Sequence, residues 1–355
     1  METLTNSKLQ QIASGFGLEQ ASVEPLGSGL IHYTFKAESD GQAIIMQQIN
    51  TKVFADPNAL IENYLVIYDH LKQMDGIKVP APVPASNGEW LLKDDNNEIW
   101  RATEYISNSY TPAATENAKA AYTTASCFAR FSRALSGIEL SDLRILLADF
   151  HDLTYRYHQF EDVVSNTQGM RLMRSTHVIA EVRQRKHLVD FYTSIKNNPE
   201  FPVRLMHHDC KINNILFDMD TNEVICPIDL DTIMPGKYFS DLGDMIRTMA
   251  CTVDENSREW EKIDIKPEFY EAIVNGYLDG IGKELTTEET ANIHKSGLLM
   301  VYMQTIRFVT DFLNGDIYYQ TTYPEQNLNR ALNQLILLEK LEEFLKSKYN
   351  VSPGN

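Results

Sequence analysis

Cysteine is scarce and badly placed for chemistry: the 355-residue chain has four, Cys127, Cys210, Cys226 and Cys251, and no two of them form a Cys-x-x-Cys pair. That spacing gives little support to a zinc site or a disulfide framework, and fits reduced thiols. Positive charge is also short. Lys and Arg number 32 against 49 Asp and Glu, a formal net charge of −17. Such a surface repels nucleic-acid phosphates and anionic lipid, so neither is an expected partner. No apolar run reaches the ~18–20 residues that a membrane span requires. The first residues, Met1-Glu2-Thr3-Leu4-Thr5-Asn6, carry no basic stretch followed by an apolar one, so no signal peptide is expected. A cytoplasmic protein, monomeric or homodimeric, is the resulting expectation.

What is present is a change of pattern along the chain. Residues 1–20 read as a short amphipathic helix. Strand-like stretches follow at 22–25, 33–37 and 43–49, with Ser39-Asp40-Gly41 as the turn between the last two. A helix is predicted over 58–74 with Leu60, Tyr64, Ile67 and Leu71 on its apolar face. The proline-rich 78–84 must be extended. A further hairpin, 89–92 with 99–106, flanks a polar turn. After residue 107 long helical periodicities dominate, at 118–135, 178–196, 267–278, 287–313 and 328–349. This is an α+β arrangement. The expected lobes are 1–106, mainly β, and 107–355, mainly α.

The segment 203–247 is the richest in chemistry. His207, Asp209 and Asn214 fill the spacing H-x-D-x-x-x-x-N, with Lys211 two residues after the aspartate. That spacing is also the one in a kinase catalytic loop. Two short apolar strands then lead to Asp229-Leu230-Asp231. As a hairpin they would let Asp209, Asn214 and Asp229 converge. Phosphoryl transfer asks for such a set: a carboxylate for the attacking hydroxyl's proton, and oxygen ligands for Mg²⁺. Any one of these residues alone would be an ordinary solvated side chain; their order and intervals carry the reading.

Longer strings carry a resemblance. They are His208-Asp209-Cys210-Lys211-Ile212-Asn213-Asn214-Ile215-Leu216, Ile228-Asp229-Leu230-Asp231-Thr232-Ile233-Met234-Pro235-Gly236, Asp241-Leu242-Gly243-Asp244-Met245-Ile246-Arg247 and Gln47-Gln48-Ile49-Asn50-Thr51. Arg307-Phe308, followed by Asp311 and Gly315-Asp316-Ile317-Tyr318, belongs with them. Through these the chain resembles the aminoglycoside phosphotransferase and choline kinase-like superfamily, and within it the bacterial N-acetylhexosamine 1-kinases. The resemblance implies a protein kinase-like bilobal fold and an ATP- and Mg²⁺-dependent transfer to a hydroxyl of a small polar substrate, a sugar first. It implies Asp209 as catalytic base, Asn214 and Asp229 as Mg²⁺ ligands, and Asp241 and His207 as braces of the loop. Lys211 is expected to act on the transferred phosphate. The nucleotide is expected at the loop Gly27-Ser28-Gly29, at Gln47, and at backbone groups near Glu104 and Ile106. His32, Asp231, Arg307 and Tyr318 are the expected substrate-side residues.

Two departures stand out. Gln47 occupies the strand position where kinases carry a lysine. The hexosamine kinases' Gly-His-Ile-Asn string reads Gly29-Leu30-Ile31-His32. Kinases for another sugar, an amino alcohol or an aminoglycoside, and an inactive nucleotide-binding protein, are the competing readings. The cluster 151–158, rich in His, Asp, Arg and Tyr, reads as a loop beside the substrate or a structural loop. Cys210 reads as either an alkylation-sensitive or a buried, inert thiol.

Overall fold

The protein was analysed as a computed structural model in which residues 5–27, 31–74 and 76–351 are described. Ser28, Gly29 and Leu30 of the glycine-rich loop lie outside the described residues. The fold is α+β. Two compact units emerge, neither of them a continuous stretch of chain. One comprises 1–110, 134–147 and 216–234; the other comprises 111–133, 148–215 and 235–355.

The first unit is built on an antiparallel sheet. Its strands run in the order Ser22–Pro25, Tyr33–Ser39, Gln42–Gln48, Ile99–Glu104 and Pro82–Val83. The hairpin register pairs Thr34 with Gln47, and the next pairing sets Gln47 opposite Arg101. Alternate residues point to one face, so Phe35, Ala37, Ile44, Met46, Trp100 and Ala102 form a core with Leu9 and Ile12 of the Asn6–Gly15 helix. The Pro57–Leu71 helix starts where its sequence says. Asp56 accepts the backbone N–H of Asn58 and Ala59 at 3.1 Å each, and Pro57 occupies the first turn. Leu60, Tyr64, Ile67 and Leu71 are all buried, as the periodicity predicts.

The sequence boundary at 106/107 does not see the two later segments that return to this unit. Both are tied by polar pairs. Asn63 donates to the Arg144 carbonyl at 2.9 Å and accepts the Arg144 N–H at 2.8 Å. Ser109 and Tyr110 pair with Asp218 and Phe217 of the Ile215–Asp218 strand, the first arm of the predicted second hairpin.

The second unit is helical. At its centre lies the Lys295–Leu313 helix, buried at every position from Ser296 to Leu313. The Gln326–Tyr349, Phe239–Met249, Leu153–Asn166 and Met170–Gln184 helices pack on it. Polar residues on such a helix, Gln304, Arg307 and Asp311 among them, must find partners inside the protein. Three sequence expectations change here. The single helix over 178–196 is two, Met170–Gln184 and Lys186–Lys196, broken at Arg185. The helix over 287–313 is also two, Thr287–Ala291 and Lys295–Leu313. The loop over 151–158 is mostly helix: Asp152 caps Leu153–Asn166 by accepting the Tyr155 N–H at 3.0 Å. No helix among the described residues is long and apolar enough to cross a membrane. None of the four cysteines forms a disulfide, and all four are buried.

One close contact sets the position of the Phe239–Met249 helix. A Cβ on Gly243 would lie 2.4 Å from the Ser296 carbonyl oxygen. Gly243→Ala should force the two helices apart and cost about 1–3 kcal/mol, read as a lower midpoint in urea unfolding. An unchanged midpoint would refute the contact.

Candidate active site

In the helical unit, the strand Arg204–Met206 runs into the loop carrying His207, His208 and Asp209. His208 sits in the left-handed region at φ 67°, a costly conformation for a residue with a side chain. It is held there by Asp241. One carboxylate oxygen accepts the His207 N–H at 3.0 Å and the other the His208 N–H at 2.8 Å. One helical turn on, Asp244 accepts the Cys210 N–H at 2.9 Å. Asp241 and Asp244 are buried. Burial raises both carboxyls; His207 and the two loop N–H groups oppose this at Asp241, and Arg247 opposes it at Asp244. Asp241 therefore fills the bracing position that the sequence reading gives it.

The brace is anchored by a further pair of ions. Arg247 donates through Nε and Nη2 to one Asp244 oxygen at 3.0 and 2.9 Å and also pairs with Glu255, which in turn pairs with Arg330. Burial would raise the Glu255 carboxyl, but Arg247 and Arg330 outweigh it and bring it down to about 2.

Asp209 is partly exposed. Its Oδ2 accepts from Asn214 Nδ2 at 2.9 Å and lies 3.1 Å from Lys211 Nζ. Asn214 Nδ2 also donates to the Asp209 carbonyl at 2.9 Å. This leaves Oδ1 of Asp209 without a partner among the described residues. Asp209, Lys211 and Asn214 of the H-x-D-x-K-x-x-N pattern thus meet, and His207 packs edge-on against Phe128 at 5.0 Å. The Cys210 thiol is buried, and burial with Asp241 and Asp244 pushes it well up, which is the inert reading.

Beside the loop lies a cluster that sequence reasoning only partly found. Ser240 Oγ bridges His208 Nδ1 at 2.6 Å and His151 Nδ1 at 2.5 Å. Burial first, then His208, Arg307 and Arg156, lowers His151 well below the usual histidine range, so it is neutral. Phe150 stacks on His151 at 4.4 Å, and the Arg307 guanidinium lies 4.7 Å from the Phe150 ring centre. Arg307 bonds Gln304 at 2.8 Å and lies 5.7 Å from the Tyr318 ring centre. Tyr318 is held by the turn that Asp311 makes, accepting the N–H groups of Ile317, Tyr318 and Tyr319 at 2.8–3.1 Å. Arg156, which the sequence reading placed only within the 151–158 cluster, points its guanidinium at the Phe150 carbonyl at 3.3 Å. Burial and then Arg307 lower it below its ordinary value. Neither Arg156 nor Arg307 has a carboxylate partner among the described residues.

In the sheet-bearing unit, Asp229 also takes the left-handed conformation, φ 60° and ψ 61°, and opens the short turn Leu230–Thr232. Asp231 is buried and fully engaged. Arg101 forks onto its two oxygens at 2.6 Å each, and His32 Nε2 reaches Oδ2 at 2.8 Å. The Asn50 N–H donates to His32 Nδ1 at 3.0 Å, which places the ring proton on Nε2. Burial would raise the Asp231 carboxyl; Arg101 and His32 outweigh it and hold it well below the usual range. Gln47 accepts twice from Arg101, at 3.0 and 2.8 Å, and donates to Thr34 at 3.2 Å. His32, Asp231 and Gln47, expected to touch ligands, spend these polar atoms on one another and on Arg101. Glu104 accepts the Ala81 N–H at 2.9 Å, and the Ile106 carbonyl accepts from Ser109. Gly27 follows the Ser22–Pro25 strand at φ 71°, a value glycine adopts without strain.

The Glu255 pairing makes a pH prediction. A depressed carboxyl stabilises above its unfolded value of 4.5, and that stability is lost as pH falls toward about 2. Glu255→Gln should therefore lower the melting temperature most near neutral pH, with the gap to the parent closing between pH 4.5 and about 2. A gap that is constant across that window would contradict the pairing.

Comparison with known proteins follows this geometry. The model of the phosphotransferase enzyme family matches residues 22–286. Among solved structures, a microcompartment-associated aminopropanol kinase is 18% identical, with 98% of this chain and 98% of that chain covered and a TM-score of 0.62. A choline kinase from Streptococcus pneumoniae is 15% identical, with coverages of 94% and 98% and a TM-score of 0.58. A spectinomycin phosphotransferase in complex with ADP and spectinomycin is 14% identical, with coverages of 96% and 100% and a TM-score of 0.56. At these identities the structures share the fold. With the family model covering most of its length, the chain belongs to the phosphotransferase enzyme family.

Proposed function

We propose that the protein is an ATP- and Mg²⁺-dependent kinase that phosphorylates a hydroxyl of a neutral sugar, of the N-acetylhexosamine 1-kinase type. One observation supports it most: Asp209 keeps one carboxylate oxygen tethered by Asn214 and Lys211 and the other without a partner among the described residues. The tethered oxygen fixes the group; the other faces the acceptor hydroxyl and takes its proton. The hydroxyl oxygen then forms a bond to the terminal phosphorus of ATP as the bond to the bridging oxygen breaks, and ADP leaves. Lys211 offsets negative charge on the transferred group.

Asn214 and Asp229 are each assigned as a Mg²⁺ ligand. Asn214 spends its NH₂ on Asp209, which leaves its carbonyl oxygen as the donor. No three His, Cys, Asp or Glu side chains gather into a cage among the described residues. Oxygen donors suit Mg²⁺, a hard cation that is held together with substrate phosphates. Bound there, the ion would neutralise phosphate charge. Gly27, with Ser28 and Gly29, and the backbone at Glu104 and Ile106 remain the assigned nucleotide contacts.

The choice of a sugar over an amine rests on Arg307 and Arg156. Aminopropanol and choline, the acceptors named for two similar folds, are cations. Two guanidiniums with no carboxylate partner among the described residues, Arg307 across the Phe150 ring from His208 and Arg156 on the Phe150 carbonyl, repel a cation. They donate well to sugar hydroxyls and carbonyl groups. Arg307 and Tyr318 are accordingly the assigned sugar contacts, with His32 and Asp231 moved to a supporting role.

Asp209→Asn should bind Mg²⁺ and ADP within about threefold of the parent and lose at least ~10²-fold in kcat, the scale of a lost general base. Parent-like turnover in that variant would sink the assignment. Arg307→Leu should raise the sugar KM by about tenfold or more, since a polar site left short of a partner discriminates strongly, and should leave the ATP KM unchanged; an unaltered sugar KM would refute the contact.

A further inference from the structure

Kinases place a lysine on the third strand, where this chain has Gln47. The sheet register sets Gln47 directly opposite Arg101 on the Ile99–Glu104 strand. A cation therefore stands one strand over from its usual place, with its fork on Asp231 and its Nε and one Nη on Gln47. Arg101, Asp231 and His32 are all buried, at 3%, 3% and 6% exposure. Asp231 lies two residues beyond Asp229, within the turn whose first residue takes the left-handed conformation.

We propose that Arg101 is a positioning residue for phosphoryl transfer: through its bidentate pair with Asp231, steadied by Gln47 and His32, it fixes the turn that presents Asp229. The inference rests on the reading of Asp229 as a Mg²⁺ ligand. A fork is needed because two parallel bonds fix the carboxylate plane, which a point charge does not. The glutamine is needed because a second cation at position 47 would lie against the Arg101 guanidinium. Gln47 instead supplies an acceptor to Arg101 and a donor to Thr34, closing the network without adding charge. His32 completes it in the tautomer that donates to Asp231, because the Asn50 N–H occupies its other nitrogen. This chain thus does not lack the kinase cation; it has moved it from contacting phosphate to holding a metal-side loop.

The test measures, by calorimetry on the full chain, the gain in ADP affinity on adding Mg²⁺. It uses the charge-neutral double variant Arg101→Met/Asp231→Asn, so that no buried charge is stranded. The double variant should bind metal-free ADP within about threefold of the parent, while its Mg²⁺-dependent gain falls by about tenfold or more, the usual effect of losing a group that orients a ligand. A parent-like gain overturns the proposal. Should the double variant not fold, Arg101→Lys reads the same quantity; a parent-like gain there overturns it as well. Gln47→Lys should lower the melting temperature without tightening ADP binding, and tighter binding with unchanged stability would also overturn it. Asp229→Asn is run in parallel. If it loses the gain and the Arg101 variants keep it, the positioning role fails and Asp229 stands. If it keeps the gain, the reading of Asp229 fails and the proposal falls with it.

Discussion

A buried carboxylate that accepts two consecutive backbone N–H groups is the constraint on which the site depends. Asp241 offers one oxygen to His207 and the other to His208, and so pins a loop whose second histidine is left-handed. Backbone strain persists only where the surroundings over-determine it. Here they do: Asp244 takes the next available N–H, at Cys210, and Ser240 holds the His208 ring. All three side chains lie on or at the start of one helix, Phe239–Met249. That helix can come close to Lys295–Leu313 because residue 243 has no side chain, and Lys295–Leu313 is the helix that carries Arg307. One packing contact therefore sets both the brace of the loop proposed as catalytic and the arginine proposed to select the acceptor.

The other unit solves a different problem with similar means. Burying Asp231 would be costly without compensation. Arg101 supplies two charge-assisted bonds and His32 a third, and each of these is itself satisfied, by Gln47 and by Asn50. Networks of this kind are rigid when every member is satisfied. The odd glutamine at position 47 makes sense in that setting, since Arg101 needs an acceptor from the strand beside it.

Much of this was legible in the sequence, and the reasons differ by residue. The strands of the sheet and the Pro57–Leu71 helix announced themselves through local periodicity and the Asp56-Pro57 start. The loop proposed as catalytic announced itself through spacing, and within it Asp209 touches Asn214 and Lys211. The pairings across long separations were not legible. Arg101 and Asp231 are 130 positions apart, and no local pattern marks an arginine inside a strand as the partner of a distant carboxylate. His32 and Asp231 were therefore expected to meet a ligand, when they meet each other. Arg156 was hidden for another reason: its segment reads as a polar loop, and the Asp152 cap that starts the helix was the signal to weigh. The breaks at Arg185 and before Lys295 were missed because apolar periodicity runs through both.

The acceptor proposed for this phosphotransferase is a neutral sugar hydroxyl. Incubating the full chain with ATP, Mg²⁺ and, in turn, N-acetylhexosamines, simple hexoses, choline, aminopropanol and an aminoglycoside, and following each by phosphorus NMR, tests it most directly. An N-acetylhexosamine should give a new sugar phosphate signal, split by the anomeric proton, and the amines should give none. A phosphorylated amine with no sugar phosphate would contradict it.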